Sequence, residues 1–183
     1  MRILLAILLL GSLWLSGIPN AQAEIAQTAL SRQSFLDGRV SLLVPRSFRR
    51  LSAADIRRKY PGRNRPPVVL ADRSTQVNIA VNYSPFRMKA ADLPRYVQQL
   101  RAAVRRRSKD AKVLVADTIR ISGREFMRFH LETQSSGTRI DNYIVATVLA
   151  GRLLLVTFNS TIAKRAIWSA QRERIIRSIR VPG

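Results

Sequence analysis

The sequence predicts an α+β fold in which an antiparallel β-sheet is covered by helices, and three observations carry that expectation. Apolar residues alternate with polar ones over short segments, the period-two mark of a strand with a buried face. Four such segments follow one another over residues 113–121, 125–133, 140–149 and 153–159, joined by turns too short for anything except antiparallel neighbours. Stretches with a 3.6-residue apolar repeat are set between and after the strands, which is the pattern of helices packed on a sheet.

The first element is a hairpin. Asp37-Gly38 is a tight-turn pair, and Val40, Leu42 and Val44 alternate with Arg39, Ser41 and Leu43 up to Pro45. Ser52 followed by Asp55 has the form of a helix start, Ile56 and Tyr60 stand one turn apart, and Pro61-Gly62 closes the segment. Val68-Val69-Leu70 and then 77–83 are the next strands. In the second, Val77, Ile79, Val81 and Tyr83 share one side, and Asn78, Ala80 and Asn82 are expected on an open one.

A longer helix starts at Asp92, with Pro94 in its first turn where a missing donor costs nothing. Leu93, Val97, Leu100 and Val104 fall on one face, Arg95 and Arg106 on the back, and Arg101 and Arg105 along the side. The four-strand meander follows. A last helix is expected over 163–177, its apolar arc of Trp168, Ile175 and Ile179 bordered by Arg165 and Arg172. The predicted order is β-β-α-β-β-α-β-β-β-β-α, a sandwich without internal repeats.

The N-terminus predicts export. Arg2 precedes an apolar run over 3–18, Pro19 and Asn20 end it, and Ala21 and Ala23 supply the small residues a signal peptidase requires, placing the cut between Ala23 and Glu24. A run of about 16 residues falls short of the roughly 20 that span a bilayer. The division expected is a signal peptide over 1–23, a polar lead-in over 24–32 and one domain over 33–183. With no cysteine, the chain carries neither a disulfide nor an acylation site, which suits a periplasmic location, with secretion further out as the alternative.

The formal net charge is +21, and 27 of the 32 basic residues are arginine. Such an excess sets up a field that attracts anions. Outside the cytoplasm these are acidic proteins, lipid phosphates and polyanionic sugars; nucleic acid is argued against by the export signal. The basic residues cluster in two places. One comprises Arg46, Arg49, Arg50, Arg57, Arg58, Lys59, Arg63 and Arg65, the other Arg101, Arg105, Arg106, Arg107, Lys109 and Lys112. Arginine at such sites grips carboxylate or phosphate through two parallel hydrogen bonds, whereas the bland alternative is a solvated face.

Catalytic chemistry finds little support. One histidine and no cysteine exclude zinc and thiol chemistry, no loop clusters the carboxylates a calcium ion needs, and no cofactor motif is present. His130 would share a strand face with Arg128 and Glu132, and Glu125, Glu132 and Asp141 could converge across adjacent strands as glycosidase carboxylates do. The competing expectation is that these acids partner some of the many arginines.

Four segments resemble one family: Phe35-x-Asp-Gly-Arg-Val-Ser-Leu-x-Val-Pro45, Gly123-Arg-Glu-Phe-Met-Arg128, Gly151-Arg-Leu-Leu-Leu-Val-Thr-Phe158, and the ending Ile175-Ile-Arg-Ser-Ile-Arg-Val181. With the element order, they make the chain similar to the PsbP-like fold superfamily, which includes DcrB-like bacterial envelope proteins. The resemblance implies a non-catalytic protein that works through its surface and brings no catalytic residues to this chain. The function expected is therefore an exported binding or adaptor protein docking an acidic protein partner through its arginine-rich surface, as an immunity or assembly factor of an envelope or secretion system. The alternative is a peripheral binder of anionic membrane lipids or lipopolysaccharide, and third comes a carboxylate-based hydrolase.

Overall fold

A hairpin, a long antiparallel sheet and three helices make up the computed structural model, which describes residues 28–61, 65–135 and 137–182. The expected signal peptide, its cut between Ala23 and Glu24, and Arg63 lie outside the described residues. Strands β1 (Leu30–Phe35) and β2 (Val40–Pro45) pair antiparallel through the Asp37-Gly38 turn. The first strand starts at Leu30, inside the segment expected as a lead-in. Its first residues lack an apolar period and are held by the ladder itself, Leu30 opposite Pro45 and Arg32 opposite Leu43.

Helix α1 (Ala53–Lys59) begins where Ser52 and Asp55 predict it. The Ser52 hydroxyl accepts from the Asp55 amide at 3.1 Å, and the Asp55 carboxylate accepts from the Ser52 amide at 3.4 Å. This reciprocal pair satisfies two amides that the helix start leaves open. Just before it, β3 (Arg49–Arg50) adds a two-residue edge against β4 (Val68–Ala71). A strand that short has no period to detect in the sequence.

The main sheet has the order β3-β4-β5-β9-β8-β7-β6. Its remaining members are β5 (Val77–Arg87), β6 (Lys112–Ile121), β7 (Arg124–Ser135), β8 (Thr138–Leu149) and β9 (Arg152–Thr161), and the last four form the predicted meander. Helix α2 (Leu93–Arg107) connects β5 to β6 after a short 3-10 turn, and α3 (Ile162–Arg177) ends the fold. Strand β5 runs past Tyr83 through an irregularity that contains Pro85, a residue that cannot donate to a ladder.

Each face of this sheet carries a second layer. On one, α3 and the β1–β2 hairpin bury Leu42, Val44, Ile79, Val145, Phe158, Trp168 and Ile175 in the main core. Trp168 lies between the rings of Phe48 and Phe158, at 5.5 and 6.0 Å. The chain end locks the hairpin in place, because Ser41 and Arg180 exchange backbone hydrogen bonds of 2.9 and 2.8 Å. On the opposite face α2 buries Leu93 and Val97 against Met127, Phe129 and Ala146, while α1 packs Ile56 with Leu51, Val69 and Ala80.

That second layer corrects the expectation of an open side on β5. Residues Val77 to Val81 are buried on both faces, Asn78 and Ala80 included. The helix responsible is α1, seven residues long, whose tail brings Tyr60 onto Asn78 with a 2.9 Å hydrogen bond.

Candidate functional site

Basic residues of the first cluster largely serve their own fold. Arg49 lies 3.9 Å from the Asp55 carboxylate and Arg58 pairs with the same group, so that both arginines steady the start of α1. Hydrogen bonds from Ser52, then the charges of Arg58 and Arg49, hold the Asp55 carboxyl below its ordinary range. Lys59 donates to the Thr75 carbonyl at 2.8 Å, and burial pushes its ammonium pKa down. Arg65 donates to the carbonyls of Tyr60 and Pro61, at 2.8 and 3.1 Å. Arg46, Arg50 and Arg57 are exposed around these, without ion pairs among the described residues.

The second cluster is arranged differently. Arg105, Arg106, Arg107 and Lys109 are exposed and make no ion pair among the described residues. No acidic residue occurs anywhere in α2. Arg101, half-buried one turn earlier, has an Nε with no hydrogen-bond partner. Together with Gln98 and Ala102, Arg101, Arg105 and Arg106 line a shallow groove of about 490 Å³. Arg101 and Arg105 are four apart and therefore neighbours on the helix surface, a spacing at which like charges repel. The helix macrodipole offsets part of this, since Arg105, Arg106 and Arg107 occupy its negative end. Lys112 continues the positive surface onto the start of β6.

The acids considered for catalysis divide. Glu125 stands opposite Arg120 at one end of the β6–β7 ladder, whereas Glu132 and Asp141 face each other across β7 and β8. Both of the latter are buried and surrounded by cations. Glu132 accepts from Arg165 at 2.5 Å and pairs with Arg139. Asp141 accepts from Arg172 at 3.2 Å and from Arg165 at 3.4 Å, and lies 2.7 Å from His130 Nε2. Beside them, Arg172 sits 4.4 Å over the Tyr143 ring, and Arg128 grips Asp117 with two hydrogen bonds.

The electrostatics of this network are those of a structural lock. Its hydrogen bond from Arg165 holds the Glu132 carboxyl below the usual range. Burial alone would raise Asp141, but the His130 hydrogen bond and the charges of His130, Arg172 and Arg165 outweigh it and leave the group lowered. A glycosidase needs one carboxyl kept protonated to serve as an acid. Here both are pushed the other way. Arg165 and Arg172, which in the sequence only border the apolar arc of α3, are the residues that reach in to neutralise the two acids.

The fold is that of a PsbP-like α+β sandwich. The chain is similar to the solution structure of cyanobacterial PsbP (CyanoP) from Synechocystis sp. PCC 6803, with a TM-score of 0.58 and 16% identity over 94% of this chain and 99% of that one. It is also similar to LpqN of Mycobacterium tuberculosis, described as involved in cell envelope biogenesis, with a TM-score of 0.57 and 12% identity over 87% and 96% of the two chains. A Bacteroides thetaiotaomicron VPI-5482 structure matches at a TM-score of 0.55 and 12% identity, over 83% of this chain and 48% of that one. No protein-family model and no curated protein sequence matches the chain.

Proposed function

We propose that this chain is an exported, non-catalytic binding protein that docks an acidic protein partner through the cationic face of α2, in the role of an immunity or assembly factor of an envelope or secretion system. The observation that carries this reading is the groove of Arg101, Arg105 and Arg106, cations gathered on a helix without an acid and without ion pairs among the described residues. Charges held together at a cost to their own helix are explained by a partner that supplies the missing carboxylates, and an arginine fork matches a carboxylate well. The signal-peptide pattern over 1–23 supports export, and the likeness to an envelope-biogenesis protein is in keeping with it.

The experiment is capture from envelope extract with the mature chain, washed with rising salt. An acidic protein retained at low salt, released as salt screens the contact, and lost with the Arg101→Glu/Arg105→Glu/Arg106→Glu variant is the expected result. Absence of any partner at low salt overturns the reading. Flotation on anionic against neutral vesicles tests the alternative, a lipid or lipopolysaccharide surface: recovery only with anionic vesicles, lost in the same variant, transfers the site to that ligand.

A further inference from the structure

Between α1 and α2 the central strands leave part of one sheet face open. Helix α1 covers β4 and β5, helix α2 covers β6 and β7, and the gap is floored by side chains of β5, β9 and β8. The register places Asn78, Asn159 and Asn142 in one row across these strands. Asn82 pairs with Leu155 further along, with half-buried Thr157 and Ile144 between the rows. A cavity of about 340 Å³ lies at the first row, where Tyr60 and Thr133 join the asparagines. Another of about 620 Å³ lies at the second, walled by Arg65, Phe86 and Tyr96. Both are of a size that holds small molecules.

We infer that this trough binds a linear, uncharged oligosaccharide. Its floor carries amides, hydroxyls and apolar groups, with no carboxylate among the described lining residues. The two cations at the rim, Lys59 and Arg65, already donate to backbone carbonyls. A ligand here is therefore read by hydrogen bonds: a cationic one would leave water without a counter-charge, and the two rim cations are already turned to backbone carbonyls.

Acceptor capacity stands unused. Asn142 donates through Nδ2 to Thr133 Oγ1 at 2.9 Å and to the Ile140 carbonyl at 3.2 Å, leaving Oδ1 without a partner among the described residues. Asn159, 8% exposed, donates to Asn78 Oδ1 at 3.2 Å, and its own Oδ1 is buried without a partner. Native interiors satisfy such atoms. Sugar hydroxyls or acetamido N–H groups supply the missing donors.

The wall adds an aromatic platform. Phe86 is 51% exposed, a large apolar side chain left in water, and it is stacked on Tyr96 at 5.7 Å. A pyranose ring has an apolar face to lay on such a plate and hydroxyl edges for the asparagines. From Asn78 to Asn82 along β5 is about 13 Å, so a ligand that fills both cavities is a chain of sugars instead of one ring. A peptide strand fits less well, because it recognises an open sheet edge through main-chain bonds and this floor is made of side chains on interior strands.

Calorimetric titration of the full mature chain with β-1,4-linked tetramers of N-acetylglucosamine and of glucose tests the inference. Saturable binding of either one is expected, weakened about tenfold or more by Phe86→Ala and by Asn142→Leu, as loss of one good contact predicts. The Arg101→Glu/Arg105→Glu/Arg106→Glu variant is expected to bind the sugar normally, which separates this site from the α2 surface. Phe86 is half exposed, so its variant is expected to fold, which an unchanged melting temperature checks. Binding of neither tetramer overturns the inference, as does sugar binding that survives both the Phe86 and Asn142 changes.

Discussion

Glu132 and Asp141 face each other directly across the β7–β8 ladder, both buried, and share the guanidinium of Arg165 between them. Two adjacent carboxylates would repel, and the arrangement is tenable because Arg139, Arg165 and Arg172 surround them. Asp141→Asn removes one acid and leaves Arg172 facing a neutral group in a nearly closed site. Breaking a buried pair from one side costs about 3–5 kcal/mol, so the variant is expected to unfold at markedly lower urea concentration.

The same pair fixes the acid limb of stability. Both carboxyls have their pKa lowered on folding, so they contribute stability that is present above the unfolded values, near 4, and is lost as pH falls through the lower folded ones. Urea midpoints measured from pH 7 downward should fall as pH drops below about 4. Glu132→Gln and Asp141→Asn start lower and should show a shallower decline; a decline as steep as that of the parent would show that other groups govern it.

Much of this fold is legible in the sequence because its signals are local. Asp37-Gly38 turns the hairpin, Ser52 and Asp55 start α1, and short turns force the meander, each needing only neighbours along the chain. Features that depend on distant partners are not legible. The second buried face of β5 requires Tyr60 and α1 to fold over it, and the inward turn of Arg165 and Arg172 requires acids on other strands. Basic clusters show the same limit. Arg49 and Arg58 are near in sequence to other arginines but spend their charge on Asp55, whereas Arg101, Arg105 and Arg106 remain available.

Turn chemistry gives a gain-of-stability prediction. Ala150 and Gly151 form the β8–β9 turn with φ of 47° and 71°. Both central positions of such a turn need the left-handed region, which costs an alanine on the order of 1 kcal/mol and which asparagine tolerates. Ala150 is exposed, so Ala150→Asn meets no packing constraint. Thermal unfolding should shift upward by a few degrees, whereas Gly151→Ala, which puts a Cβ at the same kind of angle, should lower it.

The helix start is a second local test. Ser52→Ala deletes the hydroxyl that accepts from the Asp55 amide, and losing such a cap costs about 1 kcal/mol. Because α1 covers Val69 and Ala80, the loss should also appear as faster amide exchange in β4, not only in the helix.

The final prediction concerns the tension between stability and binding on α2. Arg101 and Arg105 repel across one helical turn, and Arg106 and Arg107 add to the same field. Arg105→Gln removes one of these charges from an exposed position and leaves the apolar contacts of Leu93 and Val97 untouched. Relief of one like-charge pair is worth about 0.2–0.5 kcal/mol in low salt, and Arg106 and Arg107 remain to complement the negative helix end, so the variant should melt slightly higher. That gain should shrink in high salt, where the repulsion is screened in the parent as well. Acidic-partner capture should move the opposite way, weaker in Arg105→Gln at every salt concentration that supports binding. A variant that is both less stable in low salt and undiminished in capture would place the repulsion, and the docking surface with it, elsewhere on the protein.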